Sequence, residues 1–499
     1  MTVRPLPTPA SVHSWLAQPR RMLIGGAWVS AVSGETFETL NPATGQPITA
    51  VPSADAADVD AAVRAARAAF DSGPWRQMSP SERGKRLWAL ADLVERHAGE
   101  LAALERLDSG KPQLMAQAVD LPATVDILRY MAGWATKLEG RTVPLSVPYA
   151  PGAQFHAYTV REPVGVVGQI IPWNFPAMMA AMKLGPALAA GCTVVLKPAE
   201  ETPLSALRLG ELVCEAGFPD GVVNVVTGFG ERAGAALAAH PGVDKVAFTG
   251  STEVGRLIVR AASHDLKRVS LELGGKSPNI LLEDADLEAA MPAAAAAIFF
   301  NQGECCTAGS LLYVHRRHFD RVLEGVAAAA RAIPVGPGDS PSSQMGPLVS
   351  EAHRTRVLGY LESGRTEGAV TVAGGSGLPG PGFFLQPTVL AQTRPGMRVM
   401  DEEIFGPVVC AVPFDDPGEV VAAANRSRFG LAAAVWTRDV SRAHRLAAAL
   451  RAGTVWVNCY NILDAALPFG GARQSGWGRE MGEEALALYT ETKSVCVQI

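Results

Sequence analysis

Between residues 164 and 273 the sequence keeps one rhythm: a short run of Val, Ile and Leu, an Ala-rich or amphipathic stretch, then another short run. The runs are Val164–Ile171, Thr193–Lys197, Val222–Val226, Lys245–Thr249 and Arg268–Leu273. Strands alternating with helices at this interval bury their apolar faces as a parallel sheet covered by helices. The rhythm therefore predicts an α/β fold with a doubly wound, Rossmann-like domain. Ligands of such sheets lie beyond the carboxyl ends of the strands, so chemistry is expected in the residues that follow each run.

The first run ends in Pro172-Trp173-Asn174-Phe175-Pro176, where Asn174 reads either as a turn residue or as an amide donor for an anion. After the second, Lys197 and Glu200 are one turn apart and read as a ribose-binding pair or a solvated ion pair. The fourth runs through Thr249-Gly250-Ser251 into a helix, an arrangement that aims backbone N–H groups at phosphate. In the fifth, Glu272 faces away from Val269, Leu271 and Leu273 and stands just before Gly274-Gly275. Burial there would raise its pKa toward that of a general base.

A second cluster lies in Phe299–Ser310, where Cys305 and Cys306 sit between Gly303 and Gly309 after an Ala-rich apolar helix. Such thiols read either as small buried hydrophobes or as a nucleophile at a helix mouth. The seven cysteines are scattered without a C-x-x-C, which argues against a disulfide framework and a zinc site and for a reducing compartment. The net charge of −5 offers nothing to nucleic acid or anionic lipid. No secretory pattern is read in Met1–Arg21, and the apolar run Pro176–Leu196 is interrupted by Lys183, Gly185-Pro186 and Gly191, so neither membrane nor nucleic acid is expected as a partner. A cytoplasmic protein is expected.

The flanks read more simply. Met22–Val29 around Gly25-Gly26 predicts a hairpin, and helical patterns cover 57–70, 80–107 and 113–139, the second starting from Ser79-Pro80. None of these helices presents a catalytic cluster. Extended segments between Arg141 and Glu162, and the alternating tail Lys493–Ile499, predict strands that would leave an open edge unless paired with another subunit.

Taken in order, seven stretches resemble the NAD(P)-dependent aldehyde dehydrogenase superfamily. They are Ile171–Pro176, Leu196–Glu200, Phe248–Gly255, Leu271–Asn279, Phe299–Ser310, Glu402–Pro407 and Pro468–Gly471. The resemblance implies three units: a NAD-binding domain from 1–140 and 161–273, a catalytic domain from 274–478, and a small β oligomerisation element from 141–160 and 479–499. The termini, Gln18–Trp28 and Tyr489–Val497, resemble the phenylacetaldehyde dehydrogenase branch.

The resemblance also assigns roles. Cys306 is the implied nucleophile, with Cys305 a packing residue. The Asn174 amide and the Cys306 N–H are implied as oxyanion donors. Glu272 is the implied base that activates water against the thioester, and its presence favours free acid over transfer to coenzyme A. For NAD, the implied contacts begin with Ile170, Ile171, Pro172 and Trp173, and Lys197 with Glu200 at the adenosine ribose. Gly230, Gly234, Phe248, Thr249, Gly250, Ser251 and Val254 form the implied phosphate region, and Leu273, Gly274, Glu403 and Phe405 the nicotinamide end. A carboxylate at Glu200 favours NAD over NADP by repelling a 2′-phosphate. No metal is implied.

An access tunnel is implied along Phe175, Met178, Met179, Met182, Phe300, Thr307, Leu463 and Phe469, a slot without charge that suits an apolar, arylacetaldehyde-type substrate. Broad aliphatic or betaine-type specificity is the alternative. A homo-oligomer, tetramer or dimer, is expected. Two positions depart from the family pattern. Glu304 stands where Gln is frequent and is expected to bring charge near the thiol, and His353 stands where Gln is common in a cofactor-facing helix.

Overall fold

The computed structural model describes residues 5–499. The expected alternation forms an eight-stranded sheet whose centre is parallel: Arg268–Glu272, Lys245–Thr249, Val166–Ile170, Thr193–Lys197 and Val223–Val225 lie side by side. Its edges are antiparallel. The hairpin Met22–Ile24 with Ala27–Val29 joins beside Val223–Val225, and Gly476–Trp477 joins beside Arg268–Glu272. That last strand comes from within 274–478, so the first sheet is completed by a segment assigned from the sequence to another unit.

A seven-stranded sheet follows in the order Val370–Ala373, Thr388–Ala391, Val408–Phe414, Leu311–His315, Pro278–Leu281, Ala432–Trp436 and Thr454–Val457, parallel except for its first pair. Asn174, Lys197 and Thr249 stand at or just past carboxyl ends of the first sheet, whereas Cys306 and Phe405 precede strands of the second. The chain crosses directly from one sheet to the other through Leu273–Ser277. The site is built on that crossing.

Thr490–Gln498 pairs along its whole length with Phe155–Pro163, which also takes Thr142–Val143, giving a separate three-stranded sheet. The two segments read from sequence as strands thus pair first with each other, and Val143, Val497 and Ile499 remain exposed on this sheet and its end.

The N-terminal helices differ from their expected limits. Ser79 and Glu82 form a capping box at the start of Pro80–Arg96, but the expected continuation to 107 breaks at His97 and resumes as Ala98–Ser109. The third pattern is divided into Gln113–Met115, a π-helical turn Ala116–Asp120 and Leu121–Trp134. π turns tend to mark functional positions, and this one carries Asp120 inward. Among the described residues no helix is long and apolar enough to cross a membrane, and the seven cysteines are unpaired.

Candidate active site

The thiol-bearing turn is unusual in backbone before it is unusual in chemistry. Helix Leu287–Phe299 ends, and Asn301, Gln302 and Gly303 follow with φ of 48°, 58° and 70°. A left-handed conformation costs non-glycine residues about 1 kcal/mol or more each and persists only where surroundings fix it. Here they do: the Asn301 side-chain amide donates to the carbonyls of Asn174 at 3.1 Å and Glu304 at 3.1 Å. A Cβ at Gly303 would lie 2.2 Å from the carbonyl oxygen of Gly406, so this position must be glycine. The reversal brings Cys306 to the junction of two cavities, which both count it in their walls.

Asn174 follows strand Val166–Ile170 and precedes the buried helix Pro176–Ala190. One N–H of its amide donates to the Glu304 carbonyl at 3.0 Å, which orients the group and leaves the second N–H without a protein acceptor. Its own main-chain carbonyl receives the Lys111 ammonium at 2.8 Å. Lys111 is 1% exposed and ion-paired with Asp120, with Glu105 4.0 Å away. Burial, only partly offset by Lys111, pushes the Glu105 carboxyl up to about 8, while its Oε1 accepts from the Ala177 N–H at 2.8 Å. The N-terminal region thus places a charged cluster behind Asn174 that the sequence does not announce. Glu105 lies in helix Ala98–Ser109, Lys111 in the loop after Gly110 and Asp120 in the π turn, and only the fold brings them together.

Glu272 ends its strand 3% exposed, with Oε1 unpartnered. Burial, then the neighbouring Glu480, push its carboxyl well above the usual range, while Lys183 and Arg479 pull the other way. Glu480 is ion-paired with Lys183, which is fully buried. A carboxylate whose pKa is raised is a stronger proton acceptor than an ordinary one. Lys183 and Glu480 were not singled out as site residues from sequence. The signal was a lone lysine inside the apolar run Pro176–Leu196, noted only as an obstacle to a membrane span.

The half-buried Cys306 thiol is pushed well above its ordinary value first by its neighbour Cys305, then by desolvation and by Glu272 and Glu403. Deprotonation therefore needs a base, and Glu272 stands across the same cavity. Glu304, expected to bring charge near the thiol, is not among the groups that shift Cys306, whose acidic neighbours there are Glu272 and Glu403. Burial pushes the Glu304 carboxyl well above its usual range, and its Oε1 accepts from the Val349 N–H at 3.0 Å, which holds the group toward Val349.

The first cavity, about 380 Å³, is walled by Pro172, Trp173, Thr249, Gly250, Ser251, Leu273, Gly274, Glu403 and Phe405, together with Asn174, Glu272 and Cys306. Trp173 and Phe405 meet edge-on at 5.2 Å. Glu403 accepts from the Gly275 N–H at 2.9 Å, and a Cβ on Gly274 would fall 1.8 Å from its carboxylate, so any side chain there would displace Glu403. Burial pushes Glu403 up to about 7. Lys197 and Glu200 pair at 2.8 Å with Lys197 almost wholly buried, which rules out a solvated pair, and the Gly230 N–H reaches Glu200 at 3.5 Å. Gly234 lies against Lys197, where an added Cβ would come within 3.9 Å of the lysine chain. Val254, in the first turn of helix Thr252–Ala262, is exposed. The side chains of Ile170, Ile171 and Phe248 are buried in the core, so these three present main chain only to a ligand.

The second cavity, about 420 Å³, is lined by all eight expected tunnel residues, with Phe175 and Phe300 stacked at 6.0 Å. It is not free of charge. Asp126 and Asp464, both exposed, also line it, and Asp464 accepts from the Ala466 N–H at 2.8 Å. The expectation failed because Asp126 comes from helix Leu121–Trp134, far in sequence from the motifs that define the tunnel.

Residues 28–495 match the model of the aldehyde dehydrogenase family. The chain is 53% identical to phenylacetaldehyde dehydrogenase of Pseudomonas fluorescens over 97% of its own length and 96% of that protein. It is 53% identical to mitochondrial aldehyde dehydrogenase of Homo sapiens over 96% of its length and 92% of that protein. Among solved structures, the NAD+ complex of an aldehyde dehydrogenase from Bacillus cereus superposes with a TM-score of 0.97 at 51% identity, covering 99% of this chain and 100% of that one.

Proposed function

This chain belongs to the aldehyde dehydrogenase family, and on that premise we propose that it oxidises an apolar, arylacetaldehyde-type aldehyde to the free carboxylic acid. It is an oxidoreductase, and NAD is its cofactor. The observation that carries the reading is the position of Cys306, shared by one cavity edged with glycines and acids and a second lined by Met and Phe.

The residues fit a dinucleotide. Helix Thr252–Ala262 begins beside the first cavity with its Ser251 cap, Thr249 Oγ1 is buried without a partner, and Gly274 leaves room beside Glu403 that a side chain would fill. Pro172, Trp173, Gly250, Leu273 and Phe405 would hold the nicotinamide half, and Lys197, Glu200, Gly230 and Gly234 the adenosine half. Burial works to raise the Glu200 carboxyl, but Lys197 outweighs it and leaves it below its usual value, hence ionised. That charge favours NAD over its 2′-phosphorylated form.

In the mechanism we propose, Cys306 Sγ attacks the aldehyde carbon while Glu272 takes the thiol proton. The oxyanion of the thiohemiacetal receives the free Asn174 N–H and the Cys306 backbone N–H. NAD held in the first cavity would supply the acceptor for the hydride that leaves the adduct, whose carbon then stands as a thioester on Cys306. Once Glu272 has passed the thiol proton on to solvent, it removes a proton from water as the water attacks the acyl carbon, and Cys306 leaves as thiolate. Behind it Glu480 and Lys183 keep the carboxylate next to a buried ion pair that can accept the proton onward.

For the arrangement of the chain we propose that 1–140 with 161–273 bind the nucleotide, 274–478 carry the thiol, and 141–160 with 479–499 mediate assembly into a dimer or tetramer. The exposed apolar residues on the three-stranded sheet support the last point. The unpaired cysteines support a cytoplasmic location. A second reading, a betaine-type or other cationic aldehyde, is favoured by Asp126 and Asp464 at the tunnel wall. The test is NADH formation with phenylacetaldehyde, hexanal and betaine aldehyde, each with NAD and NADP, beside Cys306→Ala. Turnover of the arylacetaldehyde with NAD, lost in the variant, supports the first reading. Preference for betaine aldehyde replaces it with the second.

A further inference from the structure

Glu304 and His353 lie 49 positions apart in no common element, yet their side chains meet: His353 Nε2 is 3.7 Å from Glu304 Oε1. This is van der Waals contact rather than a hydrogen bond, because the His353 Nε2–H is already given to the Phe405 carbonyl at 2.6 Å. The His353 ring also packs edge-on against Trp173 at 5.2 Å and lies 6.2 Å from Phe405. Those two rings form one wall of the nucleotide cavity, and His353 belongs to its lining. Glu304 does not line that cavity. Its carbonyl instead receives the Asn174 amide and the Asn301 amide, and its carboxyl holds the Val349 N–H next to the start of helix Glu351–Thr366.

A single buried residue thus touches, at its two ends, the oxyanion donor and the helix that buttresses the nucleotide wall. Both Glu304 and the His353 side chain are almost wholly buried, so a displacement at one end cannot be absorbed by solvent. We propose that Glu304 is a positioning residue that links nucleotide binding to the orientation of Asn174, with His353 as its contact on the nucleotide side. The inference rests on the aldehyde dehydrogenase reading of the site. It adds a connection between the two halves of that site. Linkage makes the effect reciprocal: loosening Glu304 must weaken nucleotide binding even though Glu304 lies outside the nucleotide cavity.

The test uses the full chain and measures NAD affinity by quenching of tryptophan fluorescence, a readout that needs no aldehyde and so stands whether or not the substrate assignment holds. Glu304→Ala is expected to raise the Kd for NAD about fivefold, the lower end of ordinary coupling. The same change made in a His353→Ala background is expected to add little, because the link is already cut. Glu304→Gln keeps an acceptor for Val349 and the contact with His353, and should restore the Kd. An unchanged Kd in Glu304→Ala, or effects of the two variants that simply add, would overturn the proposal. If Glu304→Ala does not fold, His353→Ala decides alone. At saturating NAD it must still lower kcat, since its effect reaches Asn174 through Glu304, and an unchanged kcat with only a raised KM for NAD counts against the link.

Discussion

Lys111 donates a hydrogen bond to the main-chain carbonyl of Asn174 at 2.8 Å from beneath the catalytic floor, and Asp120 holds the ammonium there. Replacing Lys111 with Met leaves Asp120 buried without its partner, and breaking a buried pair from one side costs about 3–5 kcal/mol. Lys111→Met is therefore expected to lose stability on that scale in urea unfolding, and to lose kcat more than it gains KM. Glu105 belongs to the same cluster, raised from an ordinary 4.5 to about 8. Its folded pKa lies above its unfolded one, so the folded state binds the proton more tightly and the stability from this group falls as pH rises from about 4.5 through about 8. Glu105→Gln should flatten the loss of stability across that window, as followed by thermal unfolding at a series of pH values.

Asn174→Ala removes the free amide donor while leaving Lys111 its main-chain acceptor. Loss of one such donor costs about a hundredfold or more in rate. The variant should fold with wild-type melting behaviour, bind NAD and turn over at that reduced rate. Retention of more than a tenth of kcat would remove Asn174 from the oxyanion role.

Glu272→Gln should slow both halves of the reaction, because Glu272 takes the thiol proton in the first and the water proton in the second. Rapid mixing is expected to show both the burst of NADH and the later release of acid reduced, whereas a full burst with acyl-enzyme accumulating would leave Glu272 its role in deacylation alone. Because burial and Glu480 raise the Glu272 carboxyl, wild-type deacylation should climb with pH above the ordinary carboxylate range, and Glu480→Gln should move that climb to lower pH. A profile that ignores the Glu480 substitution would place the titrating group elsewhere.

Glu200→Gln removes the charge that we assign to cofactor discrimination while keeping a hydrogen-bonding group beside Lys197 and Gly230. The ratio of kcat/KM for NAD over NADP should fall about tenfold or more, the scale of about 1.4 kcal/mol for a nearby like charge. An unaltered ratio would mean that selection is made elsewhere.

The parts of this molecule legible in its sequence are those whose signal is local. The central strands were readable because Thr193–Lys197 or Lys245–Thr249 each declare themselves in five residues, and Ser79 with Glu82 announces a helix start within one turn. The tunnel residues clustered as the resemblance implied. What could not be read were contacts made only by the tertiary fold: Lys111 against Asn174, Lys183 against Glu480, Asp126 beside the tunnel, and Glu304 against His353. The break at His97 was hidden for a different reason. The flanking sequence is helical on both sides, and only the packing of Ala98–Ser109 against its neighbours decides its direction.

The strand Gly476–Trp477 closes the edge of the first sheet by pairing with Leu271 and Glu272, and the Trp477 indole N–H donates to the Val269 carbonyl at 3.0 Å across 208 positions of sequence. The ribosome therefore exposes Arg268–Glu272 long before its outer partner exists. Until about residue 477 has emerged, the strand that bears Glu272 is an uncovered edge, open to other nascent chains. Topology of this kind makes folding late and slow, and it gives the cell reason to chaperone this chain until synthesis is nearly finished. A truncation even slightly upstream of Gly476 would prolong that exposure indefinitely, and such fragments are expected in the insoluble fraction.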